Sequence, residues 1–248
     1  MFTFRFKDAS IWRNMIASVE KIIDEGVFVA TDEGLSLRAL DTSHVVMVDL
    51  YYPAEAFTEY SVKPGGVEIG VSMGALAKIL RRARKEDELS LSLEGGNIVV
   101  EYHGRGVRRF EIPHISLVYE KLPEPRISFT VKAKMLASTF KDSINTLKPI
   151  ADSVTFKALE DKRLLLLGRG DVASAEVELS LEKQTLLEMD VESPDESTCS
   201  LEYLADMVSA AGAADVVAIQ YSQDAPVRVD MEYPGGGRLT FYVSPRIE

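Results

Sequence analysis

Gly70-Val71-Ser72-Met73-Gly74 has the GxSxG spacing of a nucleophile elbow, the strand-to-helix turn that lifts a serine hydroxyl above a sheet. A hydrolase built on it also needs an acid, a later histidine and a mostly parallel sheet. Only His103 and His114 follow Ser72, both in a stretch of short strand-like runs. The same five residues are explained by Ser72 as a helix N-cap between two permissive glycines, so a Ser72 hydrolase is kept only as an alternative. His44, His103 and His114 have no spacing that puts two of them on one helix face. Cys199 is the single cysteine, which excludes a disulfide framework and a cysteine-based metal site. Neither a GxxxxGK(S/T) nor a GxGxxG pattern occurs, and Gly168-Arg169-Gly170-Asp171 reads as a turn between strands. The sequence therefore predicts no catalytic residue, no cofactor and no metal ligand.

The elements that would carry any other function follow from periodicity. Ser10 to about Asp24 has Ile11, Trp12, Met15, Ile16, Val19, Ile22 and Ile23 on one helical stripe. Strand-like runs follow at 27–30, 35–40, 45–50 and 67–71, and Ser72 opens a second helix with Met73, Leu76, Ile79, Leu80 and Ala83 inward. Runs at 89–93, 98–102 and 107–112 close this half. Prolines at 113, 123 and 125 then forbid regular structure and mark a linker. Beyond it the pattern restarts, with 129–134 echoing 2–7 and a helix expected from about Lys134 to Leu147. Strands are expected at 154–159, 163–167, 173–179 and 186–191. A fourth helix over 201–211, capped by Ser200, and strands at 216–221, 227–231 and 239–243 complete the pattern. The halves also end alike, Gly106-Val107-Arg108-Arg109-Phe110 beside Gly237-Arg238-Leu239-Thr240-Phe241. The chain reads as a tandem duplication of an α+β unit, antiparallel sheets covered on one face by two amphipathic helices each.

With 248 residues and a net charge of -11, the chain at first argues against a nucleic-acid partner. The charge is not uniform. Segments 9–23, 73–85 and 132–148 carry +1, +5 and +3, which leaves -20 on the rest. At about 100° per residue, Lys78, Arg81, Arg82 and Lys85 fall on one side of the second helix. Lys134, Lys141 and Lys148 recur every seven residues, which a helix would stack in a row. Cationic helix faces on an acidic molecule suit a surface that tracks a phosphate backbone without reading bases. No apolar run is long enough for a membrane span, and Met1 leads straight into Phe2-Thr3-Phe4-Arg5-Phe6, so a soluble, intracellular protein without a membrane partner is expected.

The run Leu37-Arg38-Ala39-Leu40-Asp41-Thr42-Ser43-His44-Val45-Val46-Met47-Val48-Asp49-Leu50 closely resembles the DNA sliding clamps of the proliferating cell nuclear antigen family, and the similarity extends from Met1-Phe2 to Phe241-Tyr242-Val243-Ser244-Pro245-Arg246-Ile247-Glu248. The resemblance implies a ring of three two-domain subunits, sheets outside and helices lining the hole. Domains of 1–113 and 127–248 with a connecting loop at 114–126 follow from it. It implies double-stranded DNA bound independently of sequence, and partners (DNA polymerase, clamp loader, flap endonuclease, DNA ligase) that insert short peptides into a groove. By position that groove is Leu40, His44, Val45, Leu122, Ile127, Pro226, Tyr242 and Ser244, with Val118 and Tyr119 on the linker. Duplex-facing bases would be Arg13, Lys78 and Arg81, joined by Arg82, Lys85, Lys134, Lys141 and Lys148 from the charge pattern. Glu202 and Asp206 leave the fourth helix without a base. Edge strands that join subunits resemble 107–112 and 173–179, with Val107, Arg108, Arg109 and Phe110 facing Ala175, Glu176, Val177 and Glu178. A heterotrimeric or checkpoint-type clamp subunit is the neighbouring alternative. The scarcity of Asn and Gln fits an archaeal type, which would place the protein in the cytoplasm with the nucleoid; a eukaryotic source would place it in the nucleus.

Overall fold

Phe2, Phe4 and Phe6 are buried while Thr3 and Arg5 are half-exposed, the period-two burial that makes β1 (Phe2–Phe6) the first strand of a half-covered sheet. The computed structural model describes residues 2–119 and 121–246. Asp8 then accepts a hydrogen bond from the Ser10 amide (2.9 Å) and starts α1 (Ala9–Val19). This helix is shorter than its apolar stripe suggested, because Ile22 and Ile23 enter the core from a turn in which both amides bond to the Val19 carbonyl. Next come β2 (Glu25–Thr31), β3 (Gly34–Leu40), β4 (Val46–Pro53), β5 (Glu59–Val62) and β6 (Val67–Ser72). Then α2 (Met73–Leu80) leads to β7 (Glu88–Glu94), β8 (Asn97–His103) and β9 (Val107–Pro113).

The second half repeats this order element for element. It runs β10 (Val131–Leu136), α3 (Ala137–Leu147), β11 (Ser153–Ala158), β12 (Arg163–Arg169), β13 (Ser174–Ser180), β14 (Glu188–Val191) and β15 (Glu196–Ser200). It ends with α4 (Leu201–Ala211), β16 (Val216–Tyr221), β17 (Val227–Tyr233) and β18 (Gly237–Val243). The strands β5 and β15 were not legible, being short and polar. The expected turn at Gly168–Asp171 starts later: Gly168 and Arg169 end β12, paired with Ala175 and Ser174, and the chain turns only over 170–173, where the Gly170 amide donates to the Ala173 carbonyl (2.9 Å).

Every strand pairing among the described residues is antiparallel. The sheet orders repeat too. β5-β1-β7-β8-β9 in the first half corresponds to β14-β10-β16-β17-β18 in the second, and β6-β2-β3-β4 corresponds to β15-β11-β12-β13. One joint breaks the equivalence: β18 pairs with β4 and fuses two of these sheets into a nine-stranded sheet across the halves. The helices pack in the order α2, α1, α4, α3 as one layer, and buried residues of both halves form one continuous core. Trp12 stands at the centre of the first half, with Phe4 at 5.3 Å and Tyr52 at 5.6 Å between ring centroids.

Candidate nucleic-acid interface, linker groove and sheet edges

Where α1 meets α4, the Ala210 amide donates to the Ser18 hydroxyl (2.9 Å) and Lys21 Nζ lies 2.9 Å from Asp206. An α4 carboxylate is thereby neutralised from the turn that follows α1, while Glu202 stays exposed. Within the helices the charge is small. Arg13 is the only charged residue of α1 and Lys78 of α2, Lys141 is offset by Asp142 in α3, and α4 holds Glu202 and Asp206. The positive charge sits instead at helix ends and just beyond them. Arg81 is the C-cap of α2 and Lys148 that of α3, where cations complement the helix dipole.

This corrects two expectations. α2 ends at Leu80, because the Arg82 and Ala83 amides turn back to the Ile79 and Leu80 carbonyls, so Arg82 and Lys85 lie on the following loop and share no helix face with Lys78. Lys134 is on β10, on the solvent face of the sheet, 3.3 Å from Glu232. Pairing of Val131–Leu136 with Val216–Tyr221 overrides helix formation there, and α3 begins only where the Ala137 amide meets the Asp215 carbonyl (3.2 Å). Lys134, Lys141 and Lys148 therefore form no helical row. Arg13 is half-buried and gives Nη1 to the Ala83 carbonyl (2.6 Å), holding the loop after α2.

The GxSxG segment has a structural explanation. The Ser72 hydroxyl accepts from the Ala75 amide (3.4 Å) as the N-cap of α2. Gly70 is required because a Cβ there would stand 2.0 Å from the Ile115 carbonyl oxygen of the linker, whose amide bonds to the Gly70 carbonyl at 3.0 Å. β6 pairs with β2 antiparallel, unlike the parallel strands of a hydrolase elbow.

Residues 114–119 and 121–130 have no helix or strand and cross the outer face of the large sheet. Beneath them a cavity of about 370 Å³ is lined by Leu40, His44, Leu117, Val118, Tyr119 and Leu122, with Arg38 and Val27 in its wall. Five of the ten expected groove residues thus converge: Leu40, His44, Val118, Tyr119 and Leu122. The others lie alongside. Tyr242 packs with Met47, Phe129 and Ile127 in a separate small cluster, Val45 accepts the Ser244 amide (2.8 Å), and Pro226 is half-buried just before β17.

Between cavity and cluster lies a set of charges that the sequence reading missed. Arg38 donates to Asp49 (2.7 Å) and to the Leu122 carbonyl (3.2 Å). Asp230 takes Arg228 (2.8 Å), the Thr240 hydroxyl (2.6 Å) and the Gln220 amide (2.9 Å). Burial pulls the Arg38 guanidinium down, but the hydrogen bond and charge of Asp49 outweigh it and the net shift is upward. Arg228 lies 5.5 Å from the Tyr242 ring centroid, and burial raises the Tyr242 phenol. The available signal was alternation: Arg38 and Leu40, Met47 and Asp49, Thr240 and Tyr242, and Arg228 and Asp230 each share one sheet face.

β9 and β13 are unpaired edges of their sheets, as expected. Most of their charges already have partners within the chain. Arg109 holds Glu94 (2.8 Å), Glu101 (3.2 Å) and Glu111 (3.2 Å), and its pKa rises, first through Glu94. Glu178 is held by Lys183 (2.6 Å) and Arg163 (2.7 Å), which lower its pKa. Arg108 pairs with Asp87, and Glu176 is exposed. No group of three or more His, Cys, Asp or Glu able to hold a metal is found among the described residues, and no helix there is long and apolar enough to cross a membrane.

Family models for the N-terminal and C-terminal domains of proliferating cell nuclear antigen match residues 1–103 and 122–246. The chain is 59% identical over 245 residues to DNA polymerase sliding clamp 3 of Aeropyrum pernix, covering 99% of this chain and 98% of that one. It is 37% identical over the full length of both chains to the DNA polymerase sliding clamp of Thermofilum pendens. Among solved structures, a chain of the PCNA2-PCNA3 complex from Sulfolobus tokodaii superposes with a TM-score of 0.93 at 32% identity, covering 99% of this chain and 100% of that one. PCNA from Thermococcus kodakaraensis gives 0.92 at 30%, with the same coverage. A duplicated antiparallel fold with a helix layer on one side, matched end to end by these proteins, places the chain in the proliferating cell nuclear antigen family of DNA sliding clamps.

Proposed function

We propose that the chain is one subunit of a three-membered ring that encircles duplex DNA, slides on weak phosphate contacts and tethers replication and repair enzymes. The observation that carries this reading is the broken equivalence of the two halves. β18 stands to the second half as β9 stands to the first, and β4 to the first as β13 to the second. β18 and β4 are joined, whereas β9 and β13 each have an outer edge that no strand among the described residues pairs with. In the joint Phe241 lies opposite Val48 and Leu239 opposite Leu50. Phe110 matches Phe241 in the repeated Gly106 and Gly237 segments. Ala175 matches Val48, each two residues before the residue that pairs with the third strand of its unit, Leu166 with Val177 and Leu37 with Leu50. Copying the joint between subunits sets Phe110 opposite Ala175, Arg109 opposite Glu176 and Arg108 opposite Val177, with Val107 and Glu178 at the end of the ladder. Backbone hydrogen bonds and the Phe110 contact carry this interface, since exposed ion pairs contribute only about 0.2–1 kcal/mol each.

Subdivision into 1–113, 114–126 and 127–248 follows the duplication. In the ring the helix layer faces the hole, where Lys78, Arg81, Lys141 and Lys148, and beyond the helix ends Arg82 and Lys85, meet the phosphates. The cavity under the linker takes a short peptide from DNA polymerase, clamp loader, flap endonuclease or DNA ligase, with an apolar side chain against Leu40, His44 and Leu122. Tethering raises effective concentration, so processivity needs no tight DNA contact and no chemistry by the clamp itself. Such a protein works inside the cell, with the chromosome. The neighbours of the ring are copies of this chain or paralogues, the latter favoured by the paired-paralogue complex it resembles.

Retention on closed circular DNA and escape from the same DNA once linearised, with the solution mass of the chain alone and mixed with its paralogues, tests the reading. Equal retention on both forms contradicts it.

A further inference from the structure

We propose that Asp41 is the positioning residue of the groove under the linker: its carboxylate holds the β3–β4 turn so that His44 stands in the cavity wall before a partner segment arrives. The proposal rests on the reading of that groove as a peptide site.

The turn is strained. His44 has a φ of 57°, in the left-handed region that a residue with a Cβ enters only when its surroundings hold it there. Asp41, 6% exposed, does the holding. One carboxylate oxygen accepts the Val45 and Val46 amides, each at 2.7 Å, and the other accepts the Ser43 amide at 3.2 Å. The backbone closes the same turn, with the Asp41 amide donating to the Val46 carbonyl (2.9 Å) and the His44 amide to the Asp41 carbonyl (3.0 Å). A residue without an acceptor here would strip three amides of their partner, and an unpaired buried amide is destabilising. The turn would then open, and His44 would leave its left-handed conformation.

Two contacts from the second half set where the turn sits. The Tyr203 hydroxyl of α4 donates to the second carboxylate oxygen (3.4 Å), and the Ser244 amide donates to the Val45 carbonyl (2.8 Å). Burial, followed by the charge of Asp41, raises the Tyr203 phenol and keeps it a donor. Leu40 and His44, on either side of Asp41, line the cavity, while Asp41 does not, so it acts through its neighbours. The duplication offers a comparison within the chain. The turn equivalent to 41–46 is 170–173, where the Gly170 amide meets the Ala173 carbonyl as the Asp41 amide meets that of Val46. It is shorter and has Gly170 in the place of Asp41. Counted from Ser72 and Ser200 at the heads of α2 and α4, the residue equivalent to Tyr203 is Ala75. Both members of the Tyr203–Asp41 bond thus depart from the repeat, and both stand at the joint that carries the groove. A wall fixed in advance lowers the cost of ordering when a partner segment binds.

The test is Asp41→Ala, with peptide affinity measured well below the melting temperature. The probe is a fluorescent peptide selected by display on the parent protein and kept only if Leu40→Ala weakens it, which seats it in the groove. Asp41→Ala is expected to weaken the probe about tenfold, the size of the ordering that the carboxylate otherwise provides. Asp41→Asn keeps an oxygen for the Val45 and Val46 amides and retains most of the affinity. Should Asp41→Ala fail to fold, Asp41→Ser replaces it, since the shorter hydroxyl reaches only the nearest amide, and the same loss is expected. In a His44→Ala background Asp41→Ala costs little further affinity, because the carboxylate acts through His44. A merely structural Asp41 would instead lower the melting temperature and leave the affinity of the folded protein as it was. Unchanged affinity in Asp41→Ala overturns the proposal, and so do fully additive losses from Asp41→Ala and His44→Ala. If selected peptides bind but none responds to Leu40→Ala, the groove reading falls and the proposal with it. A Leu40-dependent probe that ignores Asp41→Ala removes the role of Asp41 alone.

Discussion

Arg38 on β3 and Leu122 on the linker are joined by a hydrogen bond of 3.2 Å from Nη1 to the main-chain carbonyl, and the same guanidinium holds Asp49 at 2.7 Å. A side chain of the sheet, itself fixed by a buried carboxylate, therefore sets the height of the linker over the groove. A strap held at its backbone keeps its position whatever its side chains are, and leaves Leu122, Val118 and Tyr119 free to shape the cavity below.

Removing the latch should loosen the linker and expose a penalty. Arg38→Ala leaves Asp49 buried without its partner and is expected to cost about 2 kcal/mol of stability, with faster proteolytic cleavage within 115–125. Replacing both residues by leucine should recover most of the stability but not the resistance to cleavage. A linker cleaved no faster in Arg38→Ala than in the parent would show that it is held elsewhere.

Leu40→Ala is the clean probe of the groove. The side chain is 39% exposed, so truncation disturbs the core little, while loss of a pocket wall should weaken a partner peptide by about tenfold. Tyr242→Ala should also lower peptide binding, but Tyr242 is packed with Met47 and Phe129, and a stability loss of about 3 kcal/mol is expected beside it. Titration of a labelled peptide with melting curves separates the two effects.

Lys78→Glu with Arg81→Glu should leave folding intact, since Arg81 is 66% exposed and its only ion pair among the described residues is a 3.4 Å contact to Glu20. Stimulation of the polymerase should fall and become less sensitive to salt. Full stimulation by this variant would remove α2 from the duplex-facing set.

Ser72→Ala should cost about 1 kcal/mol through loss of the α2 cap and leave clamp activity as it was. Covalent labelling of Ser72 by an acyl-phosphonate probe would reinstate the hydrolase alternative.

The sequence by itself determined what local chemistry controls. The tandem duplication, the Ser72 cap, the proline-marked linker and the alternating strands are readable because turn residues and side-chain periodicity act over a few positions. The family was legible from the 37–50 segment for the same reason that a ladder of matched positions is specific. Tertiary structure alone decided where cations end up. A seven-residue lysine spacing suggested one helix face, yet strand pairing with β16 claims Lys134, and α2 stops before Arg82 and Lys85. Arg38–Asp49 and Arg228–Asp230 are each local pairs, but their union on one sheet face was hidden because the β17–β18 and β18–β4 pairings bring it together. So was the β18–β4 joint, whose counterparts β9 and β13 keep open outer edges among the described residues. Pairing across such distances is set by which hydrophobic faces and backbone ladders can be satisfied together, and no window of sequence contains both sides of that choice.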